Sequence, residues 1–223
     1  MVRARYFRDR REAGRALAPL LGAYVDRDDV VVLALPRGGV PVGYEIATAL
    51  PAPLDVFAVR KLGVPGREEL AMGALAGAGD AVVDRALIEA LGLSGADVTR
   101  VIERERAELL RRQNLYRDHR PYPRIEGNVV ILVDDGLATG ASMYAAIDAL
   151  RHMHPVRVVA AIPVAPAETC RTLKRYADEL FCCETPDPFI AVSAWYEDFE
   201  QVGDAEVRRL LTDADMQRRP QID

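Results

Sequence analysis

Two adjacent carboxylates, Asp134 and Asp135, follow five apolar residues, Val129-Val130-Ile131-Leu132-Val133, and precede the stretch Gly136-Leu137-Ala138-Thr139-Gly140-Ala141-Ser142. The apolar run reads as a buried parallel strand that ends where its charges begin. Gly136 and Gly140 permit a tight loop, and the apolar spacing from Ser142 to Leu150 predicts a helix starting near Ala141. The first N–H groups of a helix lack internal partners and carry the positive end of its dipole. They suit a phosphate, with the Thr139 and Ser142 hydroxyls as added donors. Ionised carboxylates only accept hydrogen bonds, so the pair repels bare phosphate and suits a ligand with hydroxyls beside its phosphate. A ribose phosphate has that layout.

Two other groups of residues could meet an anion. Pro36-Arg37-Gly38-Gly39 follows the apolar run 30–35, and Arg60-Lys61 follows a third run, 54–59. Taken singly, Pro and Gly describe an ordinary turn and surface cations describe solvated charge. A second anion-capable loop in one chain shifts the balance toward binding. Only two of the 29 basic residues are lysines, Lys61 and Lys174, so a lysine at the base of the Gly- and Pro-containing segment 62–73 stands out. That segment reads as a mobile loop.

The elements that must position these residues follow from periodicity. Apolar runs at 30–35, 54–59, 129–133, 156–164 and 179–183 predict strands. Helical spacing predicts helices over 9–24, capped by Asp9, over 44–50, over 96–115, capped by Ser94, over 168–177 and over 201–211. In the long 96–115 helix, Val98, Val101, Ile102, Leu109 and Leu110 are expected to face inward, and Glu103-Arg104-Glu105-Arg106 outward. Strands alternating with helices imply an α/β fold: a mainly parallel, doubly wound sheet with helices on both faces and ligands at the carboxyl ends of the strands.

At 223 residues, 50% hydrophobic and 28% charged, the sequence can bury a full core and is read as a single domain, 1–223. With a net charge of −5 and basic residues scattered among acids, no broad surface for nucleic acid is indicated. The apolar runs are far shorter than a membrane span and the first residues lack a signal-peptide core, so no membrane partner and a cytoplasmic location are expected. Residues 213–223 are expected to fray. Nucleotide-loop, nucleophile-elbow and His-Glu-x-x-His motifs are absent from the sequence.

The order of four apolar residues, Asp134-Asp135-Gly136, two variable residues and Thr139-Gly140 resembles the signature of type I phosphoribosyltransferases, which use 5-phosphoribosyl 1-pyrophosphate (PRPP). Arg37-Gly38-Gly39 looks like that family's pyrophosphate loop. The resemblance implies transfer of ribose 5-phosphate from PRPP to a nitrogen acceptor, a nucleobase by preference, with Mg²⁺ as cofactor and pyrophosphate released. By the same resemblance, Asp134 and Asp135 hold the ribose hydroxyls and Gly136, Leu137, Ala138, Thr139, Gly140, Ala141 and Ser142 hold the 5′-phosphate. Arg37, Gly38, Gly39, Arg60 and Lys61 meet pyrophosphate, which makes Asp134, Asp135, Lys61 and Arg37 the catalytic candidates. The family's cis peptide is expected at Arg37–Gly38. Mg²⁺ is expected to be bridged through PRPP near Asp134 and Asp135, not caged by protein alone.

The segment from Pro186 to Phe199 loosely resembles the base-binding end of purine enzymes, with Phe189 as the stacking residue. The 6-oxopurine enzymes carry an Asp where this chain has Ala138, and Asp134-Asp135 followed by Ala138-Thr139-Gly140 looks more like the adenine enzymes. The acceptor therefore stays open. The resemblance also implies a homodimer, PRPP and an acceptor or nucleoside monophosphate as partners, and a small hood element to which the N-terminal helix and 184–212 contribute. The alternative is a regulatory protein that binds PRPP or a nucleotide without turnover.

Overall fold

The computed structural model describes residues 6–76, 81–117 and 122–218. Five strands form a parallel sheet: β1 (Val30–Ala34), β2 (Leu54–Val56), β6 (Val129–Val133), β7 (Arg157–Val164) and β8 (Glu179–Glu184), in the order β2-β1-β6-β7-β8. Side chains alternate across a strand, and here both faces are buried, which is why the strands read as continuous apolar runs. One face of the sheet (Val31, Leu33, Val130, Leu132, Val158, Ala160) packs with α5 (Ala141–Arg151) and α6 (Ala167–Leu173). The other face (Val30, Val32, Val129, Ile131, Val159) packs with α2 (Gly39–Ala49) and with α1 (Arg10–Leu17) and its 3₁₀ continuation Ala18–Tyr24.

The chain leaves β1 for β2 on one side, and β6 continues through β7 to β8 on the other. The topological switch point therefore lies between β1 and β6, whose residues pair one to one from Val30↔Val129 to Ala34↔Val133. Loops leaving neighbouring parallel strands at such a point open a crevice at the carboxyl edge. These are the two loops in question, after Ala34 and after Val133.

Between β2 and β6 lies a separate three-stranded antiparallel sheet, β3 (Val59–Val64), β4 (Arg67–Ala76) and β5 (Val82–Val83), followed by α3 (Arg85–Ala90) and α4 (Gly95–Arg117). The expected mobile loop 62–73 is thus a hairpin, turned by Pro65-Gly66. Its core, Leu62, Val64, Met72 and Leu75, is closed by Val101 and Leu109 of α4. This insertion forms the small hood. The N-terminal helix packs on α2, where Arg11 and Arg15 both bond Glu45, and its Ala13 packs with Trp195 and Tyr196 of the C-terminal segment.

The α4 stripe differs from expectation in two residues. Val101, Glu105, Leu109 and Gln113 are all buried, spaced by four along one face, whereas Leu110, one step off that line, is 46% exposed. α7 (Asp204–Arg218) extends well beyond the expected end at 211 and includes part of the tail expected to fray. Residues 219–223 lie outside the described residues. Among the described residues, no helix is long and apolar enough to cross a membrane.

Candidate functional site

β6 delivers Asp134 and Asp135 to the carboxyl edge, and the Asp135 N–H donates to Asp134 Oδ1 at 2.9 Å. Arg10, in the first turn of α1, donates from Nε to Asp135 Oδ2 at 2.7 Å and from its NH1 to the Glu200 carbonyl at 2.7 Å. Its guanidinium lies 3.8 Å from the Phe199 ring centre. The Tyr196 hydroxyl donates to the Asp135 carbonyl at 2.5 Å. Burial, reinforced by the neighbouring Asp135 charge, pushes the Asp134 carboxyl well above the usual carboxylate range. Burial also raises Asp135, against the opposing pull of Arg10.

The Arg-Gly-Gly loop is seated directly against these acids. A Cβ on Gly38 would stand 2.1 Å from Asp135 Oδ2, and one on Gly39 would stand 2.7 Å from the Val133 carbonyl. Only glycine permits that approach. Gly38 is already helical, as the N-cap of α2, and the non-proline cis peptide falls at Pro36–Arg37, one bond earlier than expected. The Gly39 N–H is spent on the Leu35 carbonyl at 3.0 Å, so it is not turned toward a ligand.

The 136–142 loop divides into a buried root and an exposed tip. Leu137 is 4% exposed, packs in the core under α5, and gives its N–H to the Val164 carbonyl at 3.0 Å. Its backbone N–H thus already has a carbonyl partner. Ala138, Thr139, Ala141 and Ser142 are exposed. Gly140 has φ +78° and caps α5, which starts at Ala141 as expected. Thr169 of α6, which sequence reasoning missed, donates its hydroxyl to the Ala138 carbonyl at 2.8 Å and so braces the tip.

A cavity of about 710 Å³ lies between the hood, α4 and the start of α5. Its wall includes Arg37, Arg60, Lys61, Ala141 and Ser142 from the expected set, together with Arg111, Tyr116 and Asp204. Arg60 makes two bonds, of 2.8 and 2.5 Å, to Glu105 Oε2. Against the penalty of burial, Arg60 then Arg104 hold Glu105 below the usual range. Glu105 was expected outside; it is inside because it neutralises an arginine on the hood. Lys61 Nζ donates to the Glu69 carbonyl at 3.1 Å. Arg37 NH1 lies 3.5 Å from Asp204 Oδ1. Asp134 and Asp135 adjoin the Gly38-Gly39 turn and are not part of this wall. Neither is Phe189, which is half-buried beside Phe7, Trp195 and Tyr196.

Two anion-capable loops, an acid pair between them and a cationic cavity at a switch point form one arrangement. Residues 10–198 match the phosphoribosyl transferase domain family. The chain belongs to that family. A phosphoribosyl transferase so named provisionally, Rv0571c of Mycobacterium tuberculosis strain H37Rv, is 42% identical over 205 residues, covering 92% of this chain and 46% of that protein. The chain thus spans about half the length of the curated relatives it matches. Among solved structures, TT1426 from Thermus thermophilus is 42% identical with a TM-score of 0.82, covering 93% of this chain and 98% of that one. The matched span includes α1 and its Arg10.

Arg10, Tyr196, Glu105, Thr169 and Asp204 were missed in the sequence. Arg10 and Asp135 are 125 positions apart, and no local pattern marks one arginine among many as the partner of a distant acid.

Proposed function

We propose that this phosphoribosyltransferase-family chain transfers ribose 5-phosphate from PRPP to a nitrogen acceptor, a nucleobase by preference, releasing pyrophosphate. The observation that carries the reading is the contact of Gly38-Gly39 with the Val133–Asp135 strand end. It sets an arginine-bearing loop directly beside an acid pair able to accept hydroxyl hydrogen bonds, which supports reading the two as walls of one PRPP site. Asp134 and Asp135 hold the ribose hydroxyls, while Thr139, Ser142 and the α5 N-terminus hold the 5′-phosphate. Arg37 and Lys61 meet pyrophosphate as its charge grows, the moment at which fixed cations lower a barrier. Arg60 reaches it only by sharing or leaving Glu105.

The donor chemistry of two adjacent carboxylates suits Mg²⁺, an ion that keeps water and phosphate oxygens among its ligands. Asp134 and Asp135 are the residues that would hold it, and when bound it would offset the charge of the departing pyrophosphate. The proposal carries a cytoplasmic homodimer with it.

The test is a panel of purine, pyrimidine and small amine acceptors with PRPP and Mg²⁺, following pyrophosphate. Release with one acceptor, abolished in the Asp134→Asn plus Asp135→Asn protein, is the expected result. The second reading is a regulator that binds PRPP or a nucleotide at the same site without turnover. Tight PRPP binding with no release for any acceptor would select it.

A further inference from the structure

The cavity wall holds four cations, Arg37, Arg60, Lys61 and Arg111, and among the described residues one carboxylate, Asp204. An acid facing the place where a polyanion is to bind works against the binding, so its position calls for a use. Its partners supply one. Asp204 Oδ1 accepts a 2.8 Å bond from the Tyr116 hydroxyl and lies 3.5 Å from Arg37 NH1. Tyr116 is 5% exposed and fixed in the packing of α4 against α7, whereas the Arg37 and Asp204 side chains are 33% and 42% exposed.

The two contacts differ in kind. A long ion pair with both partners in solvent is weak and readily exchanged. The arginine on the hood is held quite differently, by two short bonds to the buried Glu105. Of these two arginines Arg37 changes partners at the lower cost; Arg111, also in the wall, is held by Glu108 at 2.8 and 3.0 Å. Asp204 does not depend on it, because it opens α7, where the helix dipole favours a carboxylate, and it keeps the Tyr116 bond.

We propose, on the basis of the functional reading above, that Asp204 is the resident counter-anion of the pyrophosphate end. It holds Arg37 in the empty site and yields it to pyrophosphate, so the protein grips PRPP and released pyrophosphate more loosely than its cations alone would allow. Asp204 is a positioning residue in this account, acting through Arg37.

The test is calorimetric titration of the full chain with inorganic pyrophosphate at fixed ionic strength, with and without Mg²⁺. Asp204→Asn keeps an oxygen for the Tyr116 hydroxyl and removes the charge. It is expected to bind pyrophosphate roughly two- to fivefold more tightly, the size set by a weak ion pair no longer competing. A merely structural role predicts the opposite sign. Asp204→Ser, which suits a helix start, is expected to give the same gain should the Asn protein fold poorly. Adding Arg37→Gln to either variant should erase the gain. Equal or weaker binding in both Asp204 variants, with wild-type binding still abolished by Arg37→Gln, overturns this inference alone. No pyrophosphate binding in any form, or binding indifferent to Arg37→Gln, overturns the functional reading as well.

Discussion

Replacing Arg10 by glutamine is expected to cost about 3 kcal/mol of folding stability at neutral pH. The side chains of Arg10 and Asp135 are only 11% and 15% exposed, and the pair is joined at 2.7 Å. Removing one partner of such a pair strands the other, for which about 3–5 kcal/mol is usual when burial is complete. Residual exposure, and a proton that Asp135 can take up, set the value at the low end. The lost stacking on Phe199 adds to it. For a chain of this length, about 3 kcal/mol lowers the melting temperature by roughly 6–12 °C. Burial already raises Asp135 and Arg10 opposes the rise, so in the variant its folded-state value climbs further above the unfolded one. The native state then binds more protons than the unfolded state, and stability falls as pH rises through that folded value. The deficit relative to wild type should accordingly be largest at neutral pH and shrink toward pH about 4, near the ordinary Asp value. Thermal and urea unfolding of wild type, Arg10→Gln, Asp135→Asn and the double variant measure it. The double variant should be more stable than the sum of the single effects predicts. A loss under about 1 kcal/mol, or strict additivity, would refute the reasoning.

Three other outcomes are expected. Gly38→Ala drives a methyl into the Asp135 carboxylate and should cost about 1–3 kcal/mol together with PRPP binding, read by melting temperature and ligand-induced stabilisation. Asp134→Asn should be more stable than wild type at pH 7 without PRPP or Mg²⁺. Its raised folded-state value means that ionisation costs native stability as pH climbs above the ordinary value of about 3.9, so denaturant midpoints of the two proteins should converge at the acid end. Thr169→Val removes the hydroxyl that braces the Ala138 carbonyl. It should cost about 1 kcal/mol and lower the stabilisation conferred by a nucleoside monophosphate, while leaving pyrophosphate affinity unchanged.

The parallel sheet and the start of α5 were legible because both depend on neighbours in the sequence: continuous apolar runs for strands buried on both faces, and Gly140 before a helical spacing. The hood hairpin was not. Its register shifts between Leu62 and Val64, so the alternation that marks a strand is broken where Gly63 interrupts it. Glu105 and Leu110 were placed on the wrong sides because periodicity sorts residues by polarity, while an ion pair with Arg60 lets an acid take an inward position. The loops of the site were legible as types of chemistry, but their partners were not. Arg10, Thr169 and Asp204 reach them from helices distant in sequence, chosen by the way the layers stack.

The in-register pairing of Val30–Ala34 with Val129–Val133 has a consequence for how such a protein can change. Among the described residues, 59–117 lend no strand to the five-stranded sheet. The approach of Gly38 to Asp135 is set by the neighbouring ends of β1 and β6, with Arg10 and Tyr196 bonded to Asp135. The insertion can thus be reshaped without moving the strand ends that carry Gly38 and Asp135, but it also brings Arg60 and Lys61 to the cavity wall. A chimera that borrows this insert from a relative must therefore keep a cation at positions 60 and 61 if the proposed pyrophosphate contacts are to survive.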